Sequence, residues 1–297
     1  MSYHNPVLLF ESVDGLEINP SGIYADVTFG GGGHSREILS RLNEHGRLFA
    51  FDQDEDALEN TINDDRFTLI NENFRYIKRL LRLYGVTKVD GILADLGVSS
   101  HQFDIAERGF STRFDALLDM RMNQQDELSA YHVINEYDEN KLSNILFSYG
   151  ELRNAKAIAR AIVDARVENE IKSSFQLKEV LQRFLPKSKE HKILAQIFQA
   201  IRIEVNEELE ALKEFLEQTV ELLKPGGKLS IISYHSLEDR LVKRFIRSGL
   251  FEGEPEKDFF GNVNVPFKKG KLITPSAKEI KENNRARSAK LRTATKL

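Results

Sequence analysis

The feature that most constrains this chain is a run of four glycines, Gly30-Gly31-Gly32-Gly33, wedged between a strand-like and a helix-like segment. Residues 23–29 (IYADVTF) are rich in β-branched and aromatic side chains, and residues 35–42 place apolar groups at 38, 39 and 42, as on one helix face. Glycine at a strand-to-helix turn lets the backbone approach a ligand closely. In an open α/β sheet such a turn lies outside the carboxyl ends of the strands, where ligands bind. Glycines that serve only a tight, packed turn are the plainer alternative.

The alternation continues along the chain. Residues 47–52 (RLFAFD), 67–70 and 89–95 (VDGILAD) read as strands, with helices over 57–62 and 76–84. Such alternation implies right-handed crossovers and a parallel sheet. From about residue 102 to 202 the strand signal vanishes, and 138–149, 151–168, 175–184 and 191–202 show helical periodicity. A further helix over 206–223 is stopped by Lys224-Pro225-Gly226-Gly227, and 228–234 (KLSIISY) returns to strand. The expected organisation is an α/β sheet domain in two parts, 1–101 and 206–267, interrupted by an inserted helical subdomain at 102–205. The last 40 residues read as loops with an edge strand at 262–267, and 268–297 form a basic C-terminal segment.

The chain has no cysteine, which excludes a disulfide scaffold, a thiolate zinc site and a thiol nucleophile. No run approaches 18 apolar residues, so no membrane helix is expected, and the N-terminus lacks the basic start of a secretory leader. A cytoplasmic protein is the expectation. The net charge is −4, but residues 268–297 hold ten Lys/Arg against two Glu, or +8, leaving −12 on the preceding 267 residues. A basic segment on an acidic body suits a polyanion, nucleic acid first; a solvated tail is the alternative. Arg153, Lys156 and Arg160 form a second basic stripe at helical spacing, to which the same two readings apply.

Three acids sharpen the chemistry. From Gly30 the turn reads G-x-G-x-x-S, with Ser35 where a dinucleotide fingerprint has its third glycine, and no phosphate-loop lysine follows. Asp52 lies 20 residues after Gly32 at a strand end, placed to accept both ribose hydroxyls of an adenosine. Asp26, beside the glycine turn, would repel phosphates and suit an ammonium or sulfonium, which favours S-adenosylmethionine over a nicotinamide dinucleotide. Asp95, in Asp95-Leu96-Gly97-Val98-Ser99-Ser100, ends the fourth strand, where a carboxylate can accept a hydrogen bond from an exocyclic amine; capping of turn N–H groups is the alternative. After the fifth strand, Tyr234 is a candidate to stack on a target base, and Ser236 and Glu238 can cap the next helix. Neither a zinc motif nor a hydrolase elbow is present, and no metal is expected.

These residues resemble the bacterial 16S ribosomal RNA cytosine-N4 methyltransferases, the RsmH/MraW family, nearly end to end. The likeness rests on His4-x-Pro6-Val-Leu-Leu9, Thr28-Phe29-Gly30-x-Gly32-Gly33-His34-Ser35, Asp52-x-Asp54 and Asp95-Leu-Gly-Val-Ser-Ser100 with Gln102. It continues through Arg108-Gly-Phe-Ser111, Leu118-Asp-Met-Arg-Met122, Phe198-Gln-Ala-Ile-Arg202, Val205-Asn206-x-Glu208-Leu209, Ser233-Tyr-His-Ser-Leu-Glu-Asp-Arg240 and Asn284-Arg-Ala-Arg-Ser288. The resemblance implies a class I, Rossmann-like S-adenosylmethionine-dependent methyltransferase sheet with an inserted all-helical subdomain that engages the substrate. It implies methylation of the N4 amine of a decoding-region cytidine in 16S rRNA; the small ribosomal subunit is the expected setting, with naked rRNA the open alternative. By the same resemblance the cofactor contacts fall on Gly32, Gly33, His34, Asp52, Phe74, Asp95 and Gln102; Asp95 and Tyr234, on the residue chemistry given above, are the candidate catalytic residues. Two departures stand out: His101 replaces a usual proline, and Asp115-Ala-Leu-Leu-Asp119-Met-Arg121 replaces Asp-Gly-Pro-Leu-Asp-Met-Arg. A non-catalytic RNA-binding or ribosome-assembly factor on the same fold is the rival reading. The sequence carries no indication of oligomeric state.

Overall fold

The computed structural model describes residues 6–257, 259–261 and 263–297; His4 of the N-terminal motif and Asn262, first residue of the expected edge strand, lie outside the described residues. The chain divides into two compact units, Met1–Gly97 with Leu209–Leu297, and Val98–Glu208.

In the first unit, seven strands among the described residues form one sheet: β1 (Ile23–Asp26), β2 (Arg47–Asp52), β3 (Phe67–Asn71), β4 (Val89–Asp95), β5 (Leu223–Ser233), β6 (Phe267–Ile273) and β7 (Lys290–Lys296). Their order is β3-β2-β1-β4-β5-β7-β6. β1 to β5 run parallel, and β7 runs antiparallel to both β5 and β6. This is the α/β, Rossmann-like arrangement of a class I methyltransferase. The chain steps outward from β1 to β3 and returns to β4 on the far side of β1. The topological switch point, where ligands bind in such sheets, therefore lies between the carboxyl ends of β1 and β4.

The apolar runs explain the central strands. Leu48, Phe49, Ala50 and Phe51 are all fully buried, as expected for a parallel strand covered on both faces. Alternate residues serve opposite faces: Phe49 and Phe51 pack with Phe215, Leu216 and Phe245, whereas Leu48 and Ala50 pack with Ile38 and Leu39 of the helix Gly33–Arg41. Truncating Phe49 to alanine would cost about 3–5 kcal/mol.

Three readings of the sequence are corrected. Residues 57–62 are not an α-helix; a 3₁₀ segment, Glu55–Asn60, stands there, opened by Asp54 accepting the Asp56 N–H. Lys224-Pro225-Gly226-Gly227 does not separate helix from strand. The helix Glu208–Leu222 runs directly into β5, which absorbs the four residues as an irregularity: pairing with β4 steps from Val89↔Leu223 to Gly91↔Lys228. The C-terminal residues are not a looped tail. Lys290–Lys296 is an interior strand, with Leu291 and Ala294 buried, and Lys290 and Arg292 both reach Asp239. Leu291 and Ala294 lie on opposite faces of the strand and join different core clusters, while Lys290 and Arg292, on the face of Ala294, reach the half-buried Asp239.

The second unit is helical among its described elements. The helices Ala130–Glu136, Glu139–Ser148, Ala155–Glu168, Ser174–Val180 and Glu190–Val205 enclose a core that includes Ile158, Ile162, Ile197 and Ile201. Asn206 ties the loop 120–122 to it, accepting from the Met122 N–H at 2.7 Å and donating to the Met120 carbonyl at 2.8 Å. Lys156 and Arg160 are exposed on the helix Ala155–Glu168, while Arg153 precedes it.

Candidate active site

Strand register sets the site. Asp26 of β1 lies level with Ala50 of β2 and Leu93 of β4, so Asp52 and Asp95 each extend two residues further, roughly 7 Å along the strands. The chain beyond β1 stays between its neighbours, the Val27 N–H donating to Leu93 and the Phe29 N–H to Phe51. It then turns through Gly30 and Gly32, at φ of 50° and 75°, left-handed backbone that glycine tolerates best. A side chain at Gly32 would strike the Phe29 ring and the Arg36 guanidinium, and one at Gly33 would strike Pro6.

The three strand-end acids are held differently. Asp26 is wholly buried, accepting from the Ser35 hydroxyl at 2.7 Å and the Thr28 N–H at 3.3 Å. Ser35 in the third-glycine position thus has a defined task. Burial pushes Asp26 up to about 6 against those two bonds. Asp26 is thus closed off from solvent and braces the turn through Ser35 and Thr28.

Asp52 accepts the Gly30 N–H at 2.7 Å and the Asp54 N–H at 3.0 Å. Burial pushes it to about 6; the two N–H groups oppose that, and the charges of Asp54 and Asp26 add to it. Each carboxylate oxygen has about two lone-pair sites, so the turn leaves acceptor capacity for ribose hydroxyls.

Asp95 differs. Its carboxylate accepts no backbone N–H among the described residues. Oδ1 takes the Tyr234 hydroxyl at 2.7 Å, while the Asp95 N–H donates to the Thr28 hydroxyl at 2.6 Å. Burial drives it to about 7, the Tyr234 bond opposes, and the Asp26 and Glu238 charges raise it further. Its second oxygen lies 3.9 Å from His34 Nδ1. Burial pushes His34 down to about 4, so its ring is neutral at neutral pH. Its Nε2 sits 3.3 Å from the Val7 carbonyl, which assigns the proton to Nε2 and a lone pair to Nδ1. Two acceptors thus face each other, an arrangement completed by a donor such as an amine N–H.

Tyr234 is fixed by that hydroxyl bond, by Gly97, whose Cβ would lie 3.5 Å from the ring, and by Glu238, which accepts its N–H at 2.9 Å. The phenol anticipated as a stacking platform is engaged with Asp95. Burial and the Asp95 charge push it well above its usual value. The cap of the helix Ser236–Ser248 is His235, not Ser236, with Glu238 completing a capping box as expected. Phe74 is half-buried, edge-on to Phe215 at 5.3 Å. Gln102 belongs to the Val98–Glu208 unit, where its amide oxygen accepts the Ser99 N–H at 3.0 Å. The sequence reading missed Thr28 and Ser35 as fasteners of Asp95 and Asp26; the hydroxyl in the third-glycine position was the available signal.

Asp26, Asp52, Asp95 and Glu238 place several carboxyl groups around one strand-end crevice. Among the described residues, His34 is the one basic group within ion-pair distance of the three strand-end acids, and it is neutral. The donor set fits a ligand with hydroxyls and a positive charge, such as the sulfonium of S-adenosylmethionine, and opposes a pyrophosphate.

A model of the MraW methylase family matches residues 1–297. Proteins named ribosomal RNA small subunit methyltransferase H are similar along their whole length. The one from Christiangramia forsetii is 70% identical over 298 residues, covering 100% of this chain and 99% of the relative. Those from Flavobacterium johnsoniae and Bacteroides thetaiotaomicron are 68% and 55% identical, each over 298 residues and 100% of this chain, with 99% and 98% of the relatives covered.

Proposed function

The chain belongs to the MraW methylase family, and from that membership we propose that it methylates the exocyclic N4 amine of a decoding-region cytidine in 16S rRNA, in the small ribosomal subunit. The relatives' names support the small-subunit rRNA as substrate. The cofactor is S-adenosylmethionine, which supplies, when bound, a methyl group activated by its positive sulfur. Gly32, Gly33, His34, Asp52, Phe74, Asp95 and Gln102 would hold it, with Asp52 taking the ribose hydroxyls and Phe74 covering the adenine. The work is cytoplasmic, where ribosomal subunits are made. Among the described residues no helix is long and apolar enough to cross a membrane.

The observation that carries the reading is the Asp95 carboxylate, held through one oxygen by Tyr234 with the other facing a neutral His34. A cytosine amine is a weak nucleophile because its lone pair is delocalised into the ring. An N–H donated to the outer oxygen of Asp95 localises that pair and orients it. With a pKa of about 7, Asp95 can also take the proton the amine must shed. Tyr234 keeps the carboxylate in place and presents no charge. The target base must leave its stack to reach this site.

The test is to methylate small ribosomal subunits with isotope-labelled S-adenosylmethionine, digest the rRNA and identify the labelled nucleoside by mass spectrometry. N4-methylcytidine is expected. Label on carbon 5 of a pyrimidine, or on a purine, would contradict the amine chemistry.

A further inference from the structure

We propose that the connection between β6 and β7, residues 274–289, is a phosphate-binding rim that holds the substrate RNA backbone beside the reacting base, through Lys278, Lys281 and Arg287. This rests on the rRNA reading above and adds the surface that receives the RNA.

Register places the connection. Ile273 pairs with Leu291 and Ser233 with Lys290, while Asp95 is level with Ile232. Residues 274–289 therefore leave and re-enter the sheet at the end that carries Asp95 and Tyr234. Glu279, on the helix Ala277–Glu282, accepts the Leu8 N–H at 2.7 Å and lies near enough for its charge to raise Tyr234. The segment is pinned from beneath: Ala286 and Ala289 are buried with Val7, Leu8, Ile232 and Leu291. Asn283 caps the turn Asn284–Ser288 by accepting the Arg285 N–H.

Lys278, Lys281 and Arg287 are exposed on this anchored segment, and among the described residues none forms an ion pair. Two acids share it. Glu279 is engaged with Leu8, and Glu282 is exposed. Of the other cations of the basic C-terminal segment, Lys290 and Arg292 are spent on Asp239, whereas Lys268, Lys269 and Lys271 stand on β6, outside the connection. Lys278, Lys281 and Arg287 stand where the chemistry needs them. A polyanion must deliver one base to the strand-end site, where Asp52 and Asp95 stand beside the buried Asp26 and Glu238 and the carboxyl field repels phosphates. Cations at the rim offset that repulsion and align the strand, while the carboxylates stay within for the amine and the sulfonium.

The experiment compares wild type, the triple variant K278Q/K281Q/R287Q and the charge-keeping triple K278R/K281R/R287K. It measures binding to small ribosomal subunits across a salt series, and KM and kcat for methylation. The neutral triple should show a slope of log affinity against log salt shallower by about 2, at roughly 0.7 per phosphate contact on a single strand. Its KM for the subunit should rise with kcat retained and S-adenosylmethionine affinity unchanged, and the charge-keeping triple should behave as wild type. An unchanged slope and KM in the neutral triple would overturn the rim. Equal loss in both triples would also overturn it, since charge would not be the cause. A wild type that neither binds nor methylates the subunit would instead strike the substrate reading itself, and the rim with it.

Discussion

Asp52 and Asp95 end the two strands that flank β1, each two residues beyond the level of Asp26, and burial raises both. The protein nevertheless holds them in opposite ways. Two backbone N–H groups fix Asp52, and its pKa stays near 6; one phenol holds Asp95, and its pKa reaches about 7. A carboxylate fastened to backbone is a rigid acceptor, suited to hydroxyls that do not change during a reaction. One fastened by a single side chain keeps an oxygen and a proton affinity for a partner whose charge changes. The symmetry of the strands supplies the positions, and the difference in hydrogen bonding divides the labour.

The largest consequence falls on rate. Asp95→Ala should slow single-turnover methylation at saturating S-adenosylmethionine by roughly a hundredfold or more, as for other preorganised electrostatic groups. Rapid-quench measurement on small subunits checks this. Next, Asp52→Ala should weaken S-adenosylmethionine binding by about 1.5–3 kcal/mol, the scale of hydrogen bonds to a charged group, as read by calorimetry. Unchanged affinity there would remove Asp52 from the ribose.

Tyr234→Phe should have a smaller effect with a distinctive pH signature. The phenol bond lowers Asp95, so losing it should move the acidic limb of the rate profile upward from near pH 7 and slow the reaction by roughly tenfold at neutral pH. A limb that stays in place would show that Tyr234 does not act through Asp95.

The smallest effect is on stability. Asp95 has a folded pKa of about 7 against an ordinary 3.8, so between those values the folded chain holds a proton the unfolded chain has lost. Its contribution is fully present below about pH 4 and is lost as pH rises through 7. Asp95→Asn should therefore melt higher than wild type at pH 8, with the gap closing toward pH 4. A lower melting temperature at pH 8 would mean the acid is structural.

Sequence made some of this division visible. Asp52 and Asp95 stand out because each closes an apolar run whose burial on both faces leaves a strand as the natural reading. The hydroxyl of Tyr234 reaching Asp95 across 139 positions has no local signature. β7 was hidden for the same reason: Lys290 and Arg292 look solvated until Asp239, 51 and 53 residues away, is folded against them. Lys224-Pro225-Gly226-Gly227 carries every local stop signal, yet pairing with β4 resumes beyond it because Leu229, Ile231 and Ile232 have a core to fill. Local chemistry thus marked the acids, while the long-range contacts decided what each acid does.

The most direct test sets the two acids against each other with isosteric changes. Asp52→Asn and Asp95→Asn are each measured for S-adenosylmethionine affinity and for single-turnover rate at saturating cofactor. Asp95→Asn is predicted to keep affinity within a few-fold and lose most of its rate, and Asp52→Asn to lose affinity and recover most of its rate at saturation. A wild-type rate in saturated Asp95→Asn would contradict the account, because Asp95 would then take no part in the chemical step.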